Sequence, residues 1–171
     1  IKLDSAGKVF YTQTRVGKGN RDFMLIKFRS MYIKSDEQSL ITIGKRDSRI
    51  TRTGHIIRKY KIDELPQLFN DLKGEMSFVG PRPEVRKYVN YYSIEQSAVL
   101  NIKPGITDWA SIEFVNENII LSSSQDPEYL YIRDIIPRKI ELSMRYIQNR
   151  SLKEYIKIIF LTIYKIFKTY N

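Results

Sequence analysis

Residues 9–29 read VFYTQTRVGKGNRDFMLIKFR, and this stretch decides the N-terminal fold. Its two ends, 9–15 and 23–29, are rich in β-branched and aromatic residues, and the glycine-rich segment 16–20 lies between them. Such a pattern is typical of two strands joined by a turn. We therefore predict a β-hairpin, whose second strand places Leu25, Lys27 and Arg29 on one face because side chains alternate along a strand.

Downstream of the hairpin the pattern is irregular and then helical. Polar residues 32–47 predict a mobile loop. Thr53 is the predicted N-cap of a short helix that carries Arg58. Residues 63–74 predict a complete helix, because Asp63 can cap it, Pro66 lies in its first turn and Gly74 can end it.

The second half of the chain predicts further helices. We expect helices over 84–92 and 93–101, a strand over 106–114, and helix from Pro137 to the end with a break at 149–151. A helical wheel of the last segment places lysines on one side and the following apolar residues on the other: Tyr155, Ile156, Ile159, Phe160, Ile163, Ile166, Phe167 and Tyr170. This apolar stripe either packs against the domain or lies in a membrane interface. The fold class is α+β: one mostly helical domain with an N-terminal hairpin and a C-terminal amphipathic helix.

Composition limits the chemistry. The 171 residues are 42% hydrophobic and 28% charged, with no Cys and one His, His55. Disulfide scaffolds, thiolate zinc sites and Cys nucleophiles are therefore excluded, and a metal would be a hard cation bound by Asp and Glu oxygens. The net charge of +10 attracts polyanions, which include nucleic acids, anionic membranes and phosphorylated substrates.

Asp63 and Glu64 are the most suggestive pair. At a predicted helix start, backbone N–H groups would keep Asp63 ionised, as a carboxylate nucleophile must be, and could hold a phosphate beside it. Glu64 could then bind Mg²⁺. The alternative is that Asp63 is an ordinary cap and Glu64 an ordinary first-turn acid.

Four basic residues are candidate phosphate ligands: Lys27, Arg29, Arg58 and Arg82. Arg58 lies five residues before Asp63, and Arg82 lies between two prolines that stiffen its turn. The alternative for each of them is a solvated surface side chain. His55 is either a general base or a polar residue of a short helix, and Trp109 either stacks on a nucleobase or belongs to the core.

Seven motifs occur in a recognisable order. They are Gln13-Thr-Arg-Val-Gly17, Lys27-Phe-Arg-Ser-Met31, Arg49-Ile-Thr-Arg-Thr-Gly54, Arg58, Asp63-Glu-Leu-Pro-Gln-Leu68, Met76-Ser-Phe-Val-Gly-Pro-Arg-Pro83 and Lys103-Pro-Gly-Ile-Thr107. In this order the chain resembles the bacterial sugar transferases, the monotopic phosphoglycosyl transferases that act on polyprenyl phosphate. The resemblance covers essentially the whole chain, although members often have Gly and Gln where this chain has Asp108 and Ser111.

The resemblance implies a reaction. A UDP-sugar would donate its phosphosugar to polyprenyl (undecaprenyl) phosphate through an aspartyl-phosphosugar intermediate on Asp63, and UMP would be released. Glu64 matches the metal-linked acid of the family, with Mg²⁺ as the expected ion. Lys27, Arg58 and Arg82 would neutralise phosphate charge.

The resemblance also implies a place in the cell. Such enzymes are monotopic proteins of the cytoplasmic face of the bacterial inner membrane, and they start polysaccharide or glycoconjugate synthesis there. We therefore expect residues 1–171 to be a catalytic domain that touches an anionic membrane surface and binds no nucleic acid. We also expect a membrane helix upstream of Ile1, which would make the chain a fragment.

Two other functions compete with this interpretation. The first is a basic nucleic-acid-binding module that uses the hairpin aromatics Phe10, Tyr11 and Phe23. The second is a non-catalytic scaffold of the membrane surface. Release of UMP from a panel of UDP-sugars would distinguish the enzyme from both.

Overall fold

The computed structural model describes residues 1–44 and 47–170, with side chains as far as Lys168. The strands are β1 (Phe10–Val16), β2 (Asp22–Phe28), β3 (Ser77–Val79) and β4 (Gly105–Thr107). The helices of the described part are α1 (Ser35–Gln38), α2 (Arg52–Lys59), α3 (Gln67–Leu72), α4 (Arg86–Val89), α5 (Trp109–Glu113), α6 (Glu117–Ser122), α7 (Pro127–Leu130), α8 (Ile136–Gln148) and α9 (Leu152–Tyr170). The α+β fold class is confirmed.

The predicted hairpin is confirmed. Strands β1 and β2 pair antiparallel, with Gln13 opposite Leu25 and Val16 opposite Asp22. Leu25 and Arg29 are buried, whereas Met24 on the other face of β2 is half exposed. The face that carries Leu25, Lys27 and Arg29 is therefore the one that the domain covers.

The predicted strand over 106–114 is wrong for most of its length. Only residues 105–107 form a strand, β4, which pairs in parallel with β3. The next residue, Asp108, is completely buried and caps α5, since its Oδ1 accepts hydrogen bonds from the backbone N and Oγ of Ser111 at 2.7 and 2.8 Å. A side chain at Gly105 would lie 2.1 Å from the Gly80 nitrogen, so this close approach requires glycine.

The loop predicted over 32–47 contains α1, and residues 45 and 46 lie outside the described part. The predicted cap of the next helix is also corrected. Thr51 caps α2, because its Oγ1 accepts from the Gly54 nitrogen at 2.9 Å, whereas the Thr53 nitrogen donates to Asp4.

Two groups of buried side chains form the core. The larger is built from residues before and within α8: Ile41, Val85, Tyr88, Val99, Leu121, Tyr131, Ile135, Ile136 and Ile140. In this region the helix predicted over 84–92 is shorter than expected, because only α4 forms. The helix predicted over 93–101 is a 3-10 helix, Gln96–Asn101. The smaller group joins Val79, Tyr146 and Ile158, so α9 packs against β3 and α8.

The break between α8 and α9 is confirmed. The apolar stripe of α9 is divided between a part that packs against the domain and a part that is exposed. Tyr155 and Ile159 pack beside the fully buried Ile158. Four others remain exposed at intervals of four and three residues, Ile156, Phe160, Ile163 and Phe167, and we call them the α9 apolar face. Within the described side chains, packing against the domain therefore accounts for only part of the stripe.

Helix α3 buries its amides and exposes its leucines. Gln67 and Asn70 are buried, whereas 37% of Leu68 and 84% of Leu72 is exposed. Asn70 explains part of this inversion. Its Oδ1 accepts from the Ile26 nitrogen (3.1 Å), and its Nδ2 donates to the Met24 oxygen (2.8 Å) and to Glu75 Oε2 (2.7 Å). Asn70 therefore binds the backbone of β2 on both sides of Leu25.

We predict that Asn70→Asp lowers the free energy of unfolding by about 3 kcal/mol, because the variant loses both donors and brings a carboxylate next to Glu75. Urea denaturation measures the effect. Asp71→Asn is the matched control, since it makes the reverse change one residue later and should stay within about 0.5 kcal/mol of the wild type. Equal stability of all three proteins would contradict this role of Asn70.

Candidate active site

A sharp turn places the two adjacent carboxylates. Lys61 adopts a left-handed conformation (φ 57°), and Ile62–Glu64 then form a single 3-10 turn. Pro66 has no N–H group, so the Ile62 carbonyl accepts instead from the Leu65 nitrogen at 3.1 Å. The helix predicted over 63–74 is therefore wrong at its start, since α3 begins at Gln67. Its predicted end is right: Gly74 follows α3 with φ 79°.

Asp63 does not cap a helix. The turn that contains it shows no side-chain cap, and the buried Asp63 Oδ1 has no hydrogen-bond partner in the described part of the chain. Burial and the neighbouring Glu64 raise the pKa of Asp63, whereas Lys27, Arg58 and Lys61 lower it. Backbone N–H groups are therefore not what opposes the burial of this carboxylate; the surrounding cations oppose it, and the pKa of Asp63 nevertheless stays above its usual value.

Glu64 is held between two cations. Its Oε1 accepts from Lys27 Nζ at 3.2 Å and from Arg82 Nη2 at 2.5 Å, and its Oε2 accepts from Arg82 Nη1 at 3.3 Å. Burial favours the neutral acid, but Arg82 and Lys27 outweigh it and hold the pKa of Glu64 well below its usual range. Glu64 in turn raises the pKa of Arg82. Burial lowers the pKa of Lys27 to about 8 despite the attraction of Glu64.

The four predicted phosphate ligands divide into two groups. Lys27 and Arg82 contact Glu64, and Arg58 is near enough for its charge to act on Asp63 while its Nη2 donates to Thr42 Oγ1 at 2.9 Å. Arg29 faces elsewhere: its guanidinium donates to the Lys8 oxygen and to the oxygen and Oγ of Ser5. Three of the four cations are thus brought to the carboxylate pair, and Arg29 holds the N-terminal segment.

The two remaining candidates, His55 and Trp109, have different surroundings. His55 is exposed on α2. Trp109 packs against the smaller core group, and its Nε1 donates to Glu154 Oε1 at 2.9 Å. Trp109 is therefore a partly buried residue at the edge of the core.

Sequence reasoning missed two residues of the site. Lys61 directs the turn through its left-handed backbone and lowers the pKa of both carboxyl groups. Gln67 is 1% exposed, one turn after Asp63, and its Nε2 has no partner in the described part. Gln67 lies inside the motif at residues 63–68, but the only local signal for its burial is an amide among leucines, which an amphipathic pattern does not explain.

The donor set suits a magnesium ion that obtains most of its ligands from elsewhere. Within the described residues no group of three or more His, Cys, Asp or Glu side chains could hold a metal. Mg²⁺, however, commonly binds one or two protein carboxylates and completes its shell with water and substrate phosphates. Glu64 and the unpartnered Asp63 Oδ1 supply such oxygens.

Comparisons with known proteins identify the family of the chain. The family model described as bacterial sugar transferase matches residues 1–169. The chain is 42% identical over 166 residues to the UDP-N-acetylgalactosamine-undecaprenyl-phosphate N-acetylgalactosaminephosphotransferase of Aeromonas hydrophila. The aligned residues cover 95% of the chain and 36% of that protein. It is 42% identical over 170 residues to the undecaprenyl-phosphate glucose phosphotransferase of Komagataeibacter xylinus, covering 95% of the chain and 30% of that protein.

A third relative is the UDP-glucose:undecaprenyl-phosphate glucose-1-phosphate transferase of Caulobacter vibrioides, which is 34% identical over 174 residues, covering the whole chain and 61% of that protein. The chain thus spans about a third of the length of the first two relatives and about three fifths of the third. A family model that matches nearly all of the chain, together with these relatives, shows that the chain belongs to the bacterial sugar transferase family.

Proposed function

We propose that this domain transfers a phosphosugar from a UDP-sugar to undecaprenyl phosphate through an aspartyl-phosphosugar intermediate on Asp63. One observation carries the proposal: a buried carboxylate with an unpartnered oxygen lies beside Glu64, within a cluster of Lys27, Arg58 and Arg82. The names of the relatives, which specify undecaprenyl phosphate as an acceptor, support the substrates.

In the first step an oxygen of Asp63 attacks the phosphorus that bears the sugar. The Asp63 O–P bond forms, and the bond from that phosphorus to the bridging oxygen breaks. UMP leaves with the bridging oxygen and its electron pair. The raised pKa of Asp63 means that the nucleophile depends on the cations around it, and Lys27 and Arg58 oppose the effect of burial.

In the second step a phosphate oxygen of the lipid attacks the same phosphorus. The O–P bond to Asp63 breaks, the carboxylate is regenerated, and undecaprenyl-diphospho-sugar forms. Because two displacements occur in succession at one phosphorus, the cations must stay close enough to stabilise the negative charge of the phosphoryl group in both steps. Arg82 is suited to this task, because one third of its side chain is exposed while its guanidinium is anchored on Glu64.

Glu64 and Asp63 are the residues that would hold Mg²⁺, which when bound would neutralise diphosphate charge. Glu64 has a second task that needs no metal. It fixes Lys27 and Arg82 through three hydrogen bonds, so both cations are already oriented before the diphosphate arrives.

An exposed apolar surface near the site suits a lipid substrate. Leu65, Leu68, Phe69 and Leu72 are exposed around α3, and the ring of Tyr60 at the end of α2 lies 6.5 Å from the ring of Phe167. The α9 apolar face therefore borders the segment that carries Asp63. We propose that this surface rests on an anionic membrane, monotopically and at the cytoplasmic face of the bacterial inner membrane.

No helix of the described residues is long and apolar enough to cross a membrane.

The nucleophile is tested by Asp63→Asn. The variant should fold, because Asn has the same shape and brings no charge into a buried position, but turnover should fall on the order of 10³-fold or more. UMP release from UDP-sugars with lipid acceptor measures the rate. Asp71→Asn, the same substitution eight residues later, is the control and should keep its activity. Near-normal turnover of folded Asp63→Asn would remove Asp63 from the role.

The magnesium role is tested by chelation. EDTA should abolish UMP release and added Mg²⁺ should restore it. The thermal unfolding curve without substrate should not change, because the side chains of residues 1–44 and 47–168 include no cluster of three or more His, Cys, Asp or Glu that could cage a metal. Glu64→Gln should lower the rate and raise the Mg²⁺ requirement, and it should also lower stability, since Lys27 and Arg82 lose their anion. Full activity in excess EDTA would exclude the metal.

The membrane surface is tested with Phe160→Glu combined with Phe167→Glu. Both rings are more than half exposed, so the fold should persist. Wild-type binding to anionic liposomes should fall only partly at high salt, because salt screens lysine attraction but not apolar burial. The double variant should lose the residual binding. Ile94→Glu changes an exposed isoleucine outside this surface and serves as the control. Unchanged binding of the double variant would contradict the proposed surface.

A further inference from the structure

Two buried polar atoms of the described part lack a hydrogen-bond partner, Asp63 Oδ1 and Gln67 Nε2. One accepts and the other donates. Their residues are four positions apart in the sequence, within a helical stretch of backbone that runs from Ile62 to Leu72. Both side chains therefore lie on the same side of the chain, one turn apart. Both residues are buried, with 6% of Asp63 and 1% of Gln67 exposed.

Leaving a buried amide unpaired is unfavourable, and folded proteins rarely do so. The rest of the segment satisfies its polar groups. Asn70, three residues after Gln67, uses its side chain in three hydrogen bonds, and Glu64 accepts three from Lys27 and Arg82. The two unpaired atoms are therefore confined to the nucleophile and to the amide one turn after it.

The group that reaches Asp63 in the proposed reaction is rich in acceptors. A phosphoryl group under attack carries non-bridging oxygens whose negative charge must be stabilised, and a buried N–H donor is effective there because it needs no reorganisation. Lys27 and Arg82 can supply charge but are engaged by Glu64. Gln67 Nε2 is a neutral donor with no competing partner in the described part.

We infer that Gln67 is a catalytic residue, which donates a hydrogen bond from Nε2 to a non-bridging oxygen of the phosphoryl group while that group is bound to, or transferring to, Asp63. The inference rests on the proposed function and assigns one residue of its site. The same donor serves both displacements, because the phosphoryl group remains beside Asp63 in each. No proton is transferred to or from the amide.

The test combines activity with stability. Gln67→Met keeps the approximate shape and removes the amide. Turnover should fall about 100-fold with little change of KM, as for the loss of one donor that acts in the transition state. The melting temperature should stay the same or rise, since an unpaired buried amide is replaced by an apolar group. Gln67→Glu, which keeps the shape but replaces the donor by oxygen, should lose turnover as well.

Gln148→Met makes the same change at an exposed position of α8 and should alter neither quantity. A wild-type rate in Gln67→Met would overturn the inference. So would a lowered melting temperature or a failure to fold, because either would show that the amide has a structural partner. If the wild type itself releases no UMP from any UDP-sugar with lipid acceptor and Mg²⁺, the proposed function fails instead, and the two failures are thereby distinguished.

Discussion

The site depends on one buried anion, the carboxylate of Glu64. It holds Lys27 of β2 and Arg82 of the Pro-flanked turn at hydrogen-bond distance, and so joins three segments that are distant in sequence. A buried carboxylate without cations would become neutral, and buried cations without a carboxylate would be expelled or deprotonated. The low pKa of Glu64 and the raised pKa of Arg82 express this mutual dependence.

The position of Asp63 follows from that arrangement. The chain turns sharply at Lys61 and then enters a 3-10 turn, so two consecutive carboxylates become buried although neither caps a helix. One of them takes the cations as direct partners, while the other keeps an unpartnered oxygen. In the proposed reaction, two adjacent residues of nearly the same chemistry would therefore differ in function: Glu64 would organise charge, and Asp63 would be the nucleophile.

The sequence predicts the hairpin, the break between α8 and α9 and the end of α3, because alternation, capping residues and glycine act locally. It places Asp63 and Glu64 in the site but gives the wrong reason, since a capped helix and a 3-10 turn have the same local signals. Lys61, Gln67 and Asn70 could not be found in this way. Their roles depend on a left-handed backbone, on an unpaired amide and on contacts with β2, 44 to 46 residues away in the chain. Likewise, a helical wheel cannot show which half of the α9 stripe the domain covers.

The central claim is covalent chemistry at Asp63. It is tested by incubating the protein with a UDP-sugar and Mg²⁺, without lipid acceptor, and analysing the intact protein and its peptides by mass spectrometry. The account predicts a mass increase equal to one phosphosugar on the peptide that contains Asp63, accompanied by one UMP per adduct. The adduct should disappear when polyprenyl phosphate is added. Release of UMP only in the presence of the lipid, with no adduct on the protein under any condition, would contradict the account.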